Sequence, residues 1–365
     1  MSIHTKLLLL LCMGLSAYCN GQDGLQTAIT TTEEKSSCNG NCCCADDSQA
    51  PAGIMTDHIH PKGKWMVSYS YMDMMMKGNH IGNTKASDEA IYKNYMMAPA
   101  TMSMQMHMVM LMYGVTDRLT LMAMGGYAAN NMSMNMDDNM MSMPGMSPGS
   151  MSMSCMSSGF TDTRLSALYR FTGNERARLI GSMGVNFPTG TVRETGTTML
   201  GENQRLPYNM QLGTGSYGLL PGITFIRQSG LFSFGLDAGA DIKTGNNSVG
   251  YRFGNVYRGS AWASYKFLRV LSGSLRIEGI ETGKISGSDP NLNIAIYQQN
   301  DPTTVTSNYG GVVSNLYAGL NFHFKQPLLS KFNVLAEYGL PIYQNLNGTQ
   351  MSLHATLLAG LQYSF

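Results

Sequence analysis

LHATLLAGLQYSF, residues 353–365, puts an apolar side chain at every second position: Leu353, Ala355, Leu357, Ala359, Leu361, Tyr363 and Phe365. Ser352, His354, Thr356, Leu358, Gly360, Gln362 and Ser364 stand between them and are mostly small or polar. A β-strand sends successive side chains to opposite faces, so this segment reads as a strand with one oily and one largely wet face. The oily face finishes on two aromatics, Tyr363 and Phe365.

The same period recurs upstream. Phe232, Phe234, Leu236, Ala238, Ala240 and Ile242 oppose Ser233, Gly235, Asp237, Gly239 and Asp241, and Leu316, Ala318, Leu320, Phe322 and Phe324 oppose Asn315, Tyr317, Gly319, Asn321 and His323. Strands are expected near 64–75, 102–114, 119–130, 162–171, 178–188, 212–227, 231–243, 256–267, 274–284, 312–324, 332–343 and 351–365. Links near 116–118, 172–176, 228–230, 272–273 and 326–330 are tight, whereas 76–101, 131–161, 189–211, 244–255 and 285–311 are long. Short turns alternating with long loops, in an even number of strands of about 10 residues, are the pattern of a bacterial membrane barrel.

The N-terminus agrees. Lys6, the apolar run 7–15 and the small residues Ser16, Ala17 and Gly21 read as a secretory signal over 1–21, and Tyr18 before Cys19 argues against lipidation. No later stretch offers the 20 or so apolar residues of a spanning helix, and a membrane chain without helices must close into a barrel. Only 13% of residues are charged, beside 41 Gly and 19 Tyr, and a net charge of +1 gives no reason to expect a nucleic-acid partner. The expectation is an all-β protein: a transmembrane antiparallel up-and-down β-barrel of about 12 strands over 63–365, preceded by a disordered periplasmic tail over 22–62. Charges on a lipid face are costly, so Asp237, Asp241, Arg258, Lys266, Arg276, Glu278, His323, Glu337 and His354 should point into the lumen.

Of 32 methionines, 25 fall between Met66 and Met156. MSMQMHMVMLM sets Met102, Met104, Met106, Met108, Met110 and Met112 on one strand face, opposite Ser103, Gln105, His107, Val109, Leu111 and Tyr113. If the latter meet lipid, the thioethers line the lumen beside Met66, Met72 and Met74, whose neighbours Trp65, Val67, Tyr69 and Tyr71 make a good lipid face. Residues 131–158 carry Met132, Met134 and Met136 and read as a low-complexity outer loop with no other bulky apolar residue. Soft thioethers suit Cu(I) or Ag(I). The plain alternative is methionine as a flexible hydrophobe.

In the tail, Cys38, Cys42, Cys43 and Cys44 form either one or two disulfides or a thiolate cluster for a soft metal. With Cys155 the mature cysteines number five, so they cannot all pair within one chain. His58 and His60, near Met55 and Asp57, make a chelating pair or a merely solvated one.

The closing strand resembles those of outer-membrane barrels, whose C-terminal aromatic is read by the barrel-assembly machinery. DHxHxxGxWMxSYxYM at 57–72, YGVTDRLTLMAM at 113–124, ALYRF at 167–171 and LPYNMQLGTGSYGLLPGITF at 206–225 resemble a methionine-rich group of outer-membrane transporters. That group is similar to the barrel family named for the meta pathway of phenol degradation. The resemblance implies soft-metal handling, copper above all, with outer-membrane lipid and a periplasmic metal carrier or efflux component as partners. His107, among the methionines, joins the candidate ligands. A channel for small hydrophobic or aromatic molecules is the alternative. A hydrolase would need a nucleophile and base in mutual reach, and no motif selects a serine for His323 or His354.

Overall fold

The computed structural model describes residues 49–137, 152–173, 176–324 and 329–365. The signal, most of the tail with Cys38, Cys42, Cys43 and Cys44, and the middle of the methionine loop lie outside them. The strands are β1 (Trp65–Gly82), β2 (Met97–Thr116), β3 (Leu119–Met136), β4 (Ser152–Phe160), β5 (Thr163–Gly173) and β6 (Ala177–Phe187). They continue as β7 (Gly218–Ser229), β8 (Phe232–Lys243), β9 (Val256–Leu268), β10 (Leu271–Thr282), β11 (Gly311–His323) and β12 (Phe332–Ser364).

Apart from β4 with β5, neighbouring strands pair antiparallel, and β12 pairs with β1, so the sheet closes into a ring. β4 and β5 share one place in the ring: β4 pairs with 127–135 of β3 and β5 with 119–124. β12 fills two places, because its first half pairs with β11 and its second with β1. Its ends meet where Ser364 N donates to Lys331 O at 3.1 Å. Twelve staves result, as the alternation predicts. At about 4.8 Å between strands and a tilt near 40°, the backbone cylinder is roughly 24 Å across.

Sidedness follows from exposure. Val67, Tyr69, Val109, Leu111, Leu165, Phe225, Phe234, Leu236, Leu275, Ile277, Leu316 and Leu320 are exposed large hydrophobics on alternating positions, the arrangement required by a lipid belt. At the short-turn end, Trp65 lies 4.4 Å from Tyr113, Phe232 4.7 Å from Tyr265, and Phe332 4.6 Å from Tyr363. These rings form the aromatic girdle of the periplasmic interface. Phe365 belongs to it, stacked 5.6 Å from Tyr363.

Four expectations need correction. The strand predicted from 212 begins at Gly218. His354 falls in a register slip, since Met75 pairs with Ala355 but Met76 with Leu353. The bulge leaves His354 exposed, and the alternation read straight through 353–365 changes face there. Residues 131–136 and 152–160 are strand rather than loop, because Met132, Met134 and Met136 alternate with Ser and Asn and so extend β3 by one oily face. Residues 49–62, expected as the end of a mobile tail, are packed inside the barrel.

The long connections at the outer end pack on one another. Val192, Tyr208, Tyr251, Ile285, Leu292 and Tyr297 share an apolar cluster drawn from 188–217, 244–255 and 283–310. Tyr208 and Tyr251 meet edge to face at 4.8 Å, and Arg205 Nε sits 3.0 Å from Asp289 Oδ2. The outer mouth therefore carries a folded cap.

Candidate functional site

The interior has two unlike walls and a chain between them. Residues 49–62 enter from the short-turn end, where Gly63 N donates to Gly114 O at 2.8 Å and Lys62 N to Asp117 Oδ1 at 3.0 Å. Farther along, His60 N donates to Thr120 Oγ1 at 2.8 Å, and Thr56 Oγ1 lies 2.7 Å from Thr224 Oγ1. Gly53 N donates to Glu337 Oε2 at 2.6 Å, and Asn321 Nδ2 to Ala50 O at 2.7 Å. These partners come from β3, β7, β11 and β12, around the ring, so the segment is a plug in the lumen. Ala50 and Ile54 pack with Ile226 and Trp262, and Ile59 with Met66, Met110, Met112, Leu168 and Ile180.

One wall is charged. Arg276 donates from Nε to Glu337 Oε1 at 3.1 Å, from Nη2 to Glu337 Oε2 at 3.2 Å and from Nη1 to Glu278 Oε1 at 3.1 Å. Its guanidinium stacks 3.9 Å over the Tyr317 ring, whose hydroxyl donates to Glu278 Oε2 at 3.0 Å. Nearby, Thr224 Oγ1 donates to Asp237 Oδ2 at 2.9 Å, and Lys243 Nζ to Asp241 Oδ2 at 2.7 Å. The expected inward charges are thus largely paired with one another and with the plug.

The other wall is sulfur. Met66, Met72, Met74 and Met76 of β1 stand opposite Met112, Met106, Met104 and Met102 of β2, and Met102, Met110 and Met112 stand opposite Met132, Met124 and Met122 of β3. Directly opposed residues have Cβ atoms about 5 Å apart, within reach of long side chains. Toward the cap, Met97, Met102, Met132, Met134, Cys155, Leu206 and Met210 are buried together, with Met76, Met104 and Met136 packed against them. Leu206 and Met210 come from the 188–217 connection, and Asn209 Nδ2 lies 3.5 Å from Met102 Sδ and 3.3 Å from Met132 Sδ. Burial therefore accounts for Met132 and Met134, which the low-complexity reading could not explain. Met72, Met74, Met104, Met106 and Met108 lie half-buried between this cluster and the one around Ile59. His107 is separate from the thioethers: it lies exposed on the lipid face, with Nδ1 2.7 Å from Tyr69 Oη.

His58 and His60 are inside the plug, 3% and 2% exposed. Burial, then the neighbouring His58, push the His60 imidazole down to about 3, against a weaker upward pull from Asp57, so the ring is neutral. Among the described residues no group of three His, Cys, Asp or Glu is gathered as a metal site. No described helix is long and apolar enough to cross a membrane, so the crossing is made by strands.

The sequence profile of the family described as "Putative MetA-pathway of phenol degradation" matches residues 110–292, which is 183 of the 365 residues and just over half. The chain belongs to this family. In structure it is similar to an outer membrane channel from Pseudomonas putida F1, at 14% identity and a TM-score of 0.55, over 84% of this chain and 96% of that one. Weaker likenesses include the CymD monoaromatic hydrocarbon channel, at 12% identity and a TM-score of 0.40, over 83% and 88% of the two chains. The P. putida toluene transporter TodX follows at 10% identity and 0.39, over 83% and 90%. No curated protein matches the chain in sequence. A closed, lipid-belted antiparallel barrel of this kind is a protein of the bacterial outer membrane.

Proposed function

We propose that the barrel passes small hydrophobic or aromatic molecules along its methionine wall. The observation that carries this reading is the run of half-buried thioethers Met72, Met74, Met104, Met106 and Met108 on the inner faces of β1 and β2. Porin lumens are ordinarily polar. Unbranched thioethers instead offer an apolar, polarizable surface that reshapes round different solutes and favours aromatic edges. The facing wall of Arg276, Glu278 and Glu337 leaves a polar side for a hydroxyl or for water. The family's description, phenol degradation, agrees with an aromatic solute. Replacing Met104, Met106 and Met108 together with Ser should cut uptake of a labelled monoaromatic compound several-fold in a deletion strain, at equal amounts of folded barrel. Equal uptake rejects the reading.

A second reading is favoured by one observation: Met72 stands opposite Met106 and Met74 opposite Met104, which puts paired thioethers within reach of one soft ion. Cu(I) or Ag(I) would then be handed along the wall, with Cys38, Cys42, Cys43 and Cys44 and a periplasmic metal carrier or efflux component receiving it. Survival of the deletion strain across copper and silver, with periplasmic metal measured, separates the two. A flat response leaves only the organic solute.

A further inference from the structure

Two imidazole nitrogens lie side by side in the plug. His58 Nε2 and His60 Nε2 are both buried and neither has a hydrogen-bond partner. Buried polar atoms are normally paired, so two neighbouring exceptions of one atom type call for a cause. The rings stand perpendicular with centres 5.0 Å apart. His58 Nδ1 lies 2.6 Å from Asp57 Oδ1, and Asp57 is 4% exposed. A carboxylate on Nδ1 holds the proton there and leaves the lone pair on Nε2, the second-shell arrangement of metal-binding histidines.

The spacing suits one ion between the rings. With metal–nitrogen bonds of about 2.0–2.1 Å, each ring centre stands roughly 3.2 Å from the metal. Two ring centres 5.0 Å apart then subtend roughly 105° at it, close to the tetrahedral angle preferred by d10 ions. Ile59, between the two histidines, packs among Met66, Met110 and Met112, with Met55, Met122 and Met124 against the same cluster. No third His, Cys, Asp or Glu joins the pair among the described residues. A third ligand drawn from these methionines would be a thioether, a soft donor that suits Cu(I).

We propose that His58 and His60 form a buried cuprous site in the plug, completed by a thioether of the surrounding methionines and oriented by Asp57. The site lies within the plug and stands whichever solute crosses. Its occupancy ties the plug to the sulfur wall of β2 and β3.

The test uses the full-length chain with Cys38, Cys42, Cys43 and Cys44 changed to Ser, so that thiolates do not compete. Cu(I) is titrated against a chromophoric chelator, and X-ray absorption is recorded on the loaded barrel. One ion per barrel is expected, with two nitrogens and at least one sulfur around it. His58→Asn with His60→Asn should abolish it, and Asp57→Asn should weaken it about 10- to 100-fold, as lost second-shell partners do. The Asp57 variant and the wild-type spectrum decide the matter if the double variant does not fold. An all-sulfur shell, unchanged binding in the Asn variants, no ion bound at all, or equal affinity for Zn(II) would each overturn the proposal.

Discussion

Arg276→Met isolates the contact that ties the plug to the barrel wall. In the native protein Glu337 is 1% exposed and receives two guanidinium nitrogens and the Gly53 N–H. Arg276, 2% exposed, also reaches Glu278 and lies on Tyr317. Methionine fills the same length without the charge. Glu337 then keeps a buried carboxylate with Gly53 as its one named partner, and breaking a buried pair in this way costs about 3–5 kcal/mol. Changing Glu337 to Gln in the same chain removes the stranded charge while its amide oxygen still accepts from Gly53. The double variant should therefore recover to within about 1–2 kcal/mol of the native barrel, because replacing both partners of a buried pair is far cheaper than removing one. Urea unfolding in detergent reads the global term. Tryptophan emission reads the local one, since Trp262 packs against Ala50 and Ile54 of the plug and the chain has only two tryptophans. Arg276→Met within about 0.5 kcal/mol of wild type, or a double variant no better than the single, would refute the clamp as a buried ion pair, the threshold being the usual scale of surface substitutions.

Two further outcomes follow from single contacts. A Cβ on Gly53 would collide with the Arg276 guanidinium and stand 3.1 Å from Glu337 Oε2. Gly53→Val should therefore lift the plug, loosening the chain at the already exposed Lys62 and Lys64 so that trypsin cuts there faster, and raising single-channel conductance, while the strands stay folded by heat-shift gel. Burial raises the Asp301 carboxyl in the cap from 3.8 to about 6, against hydrogen bonds from Thr303 that favour its charged form. The folded state thus binds the proton more tightly than the unfolded one. The cap gains most below pH 4 and loses roughly 3 kcal/mol as pH rises through 6. Limited proteolysis of the 283–310 connection should accelerate from pH 4 to pH 7 in the native protein and lose that dependence in Asp301→Asn.

The staves were legible because a lipid-belted sheet writes its two faces into the chain at period 2. Phe232, Phe234 and Leu236 can only be placed outward when Asp237 must go in. The same rule identifies Met132, Met134 and Met136 as strand, and the period is visible in NMSMNM. Low complexity obscured it, since a run of one residue type resembles an unconstrained loop. His107 was separable by parity alone, standing an odd number of places from the thioethers. The bulge at His354 has no such signal, because a one-residue slip leaves composition unchanged.

The plug was illegible for a different reason. APAGIMTDHIHPK, residues 50–62, has no period and carries Pro51 and Pro61, so locally it reads as a linker. Its structure comes from partners far along the chain: Glu337 is 284 residues from Gly53, and Thr224 is 168 from Thr56. Only closure of the ring brings these groups to one axis. A segment in an open lumen would stay hydrated, whereas here a roughly 24 Å cylinder, once its inward side chains are subtracted, leaves little more than the width of one extended chain. Passage of any solute thus requires the 49–62 segment to yield or shift toward the charged wall. Polar groups hold it there through exchangeable hydrogen bonds, while the sulfur wall holds it through adaptable packing. On the proposed reading, the pathway opened by such a shift would run along Met104, Met106 and Met108, the thioethers left half-buried with the plug in place.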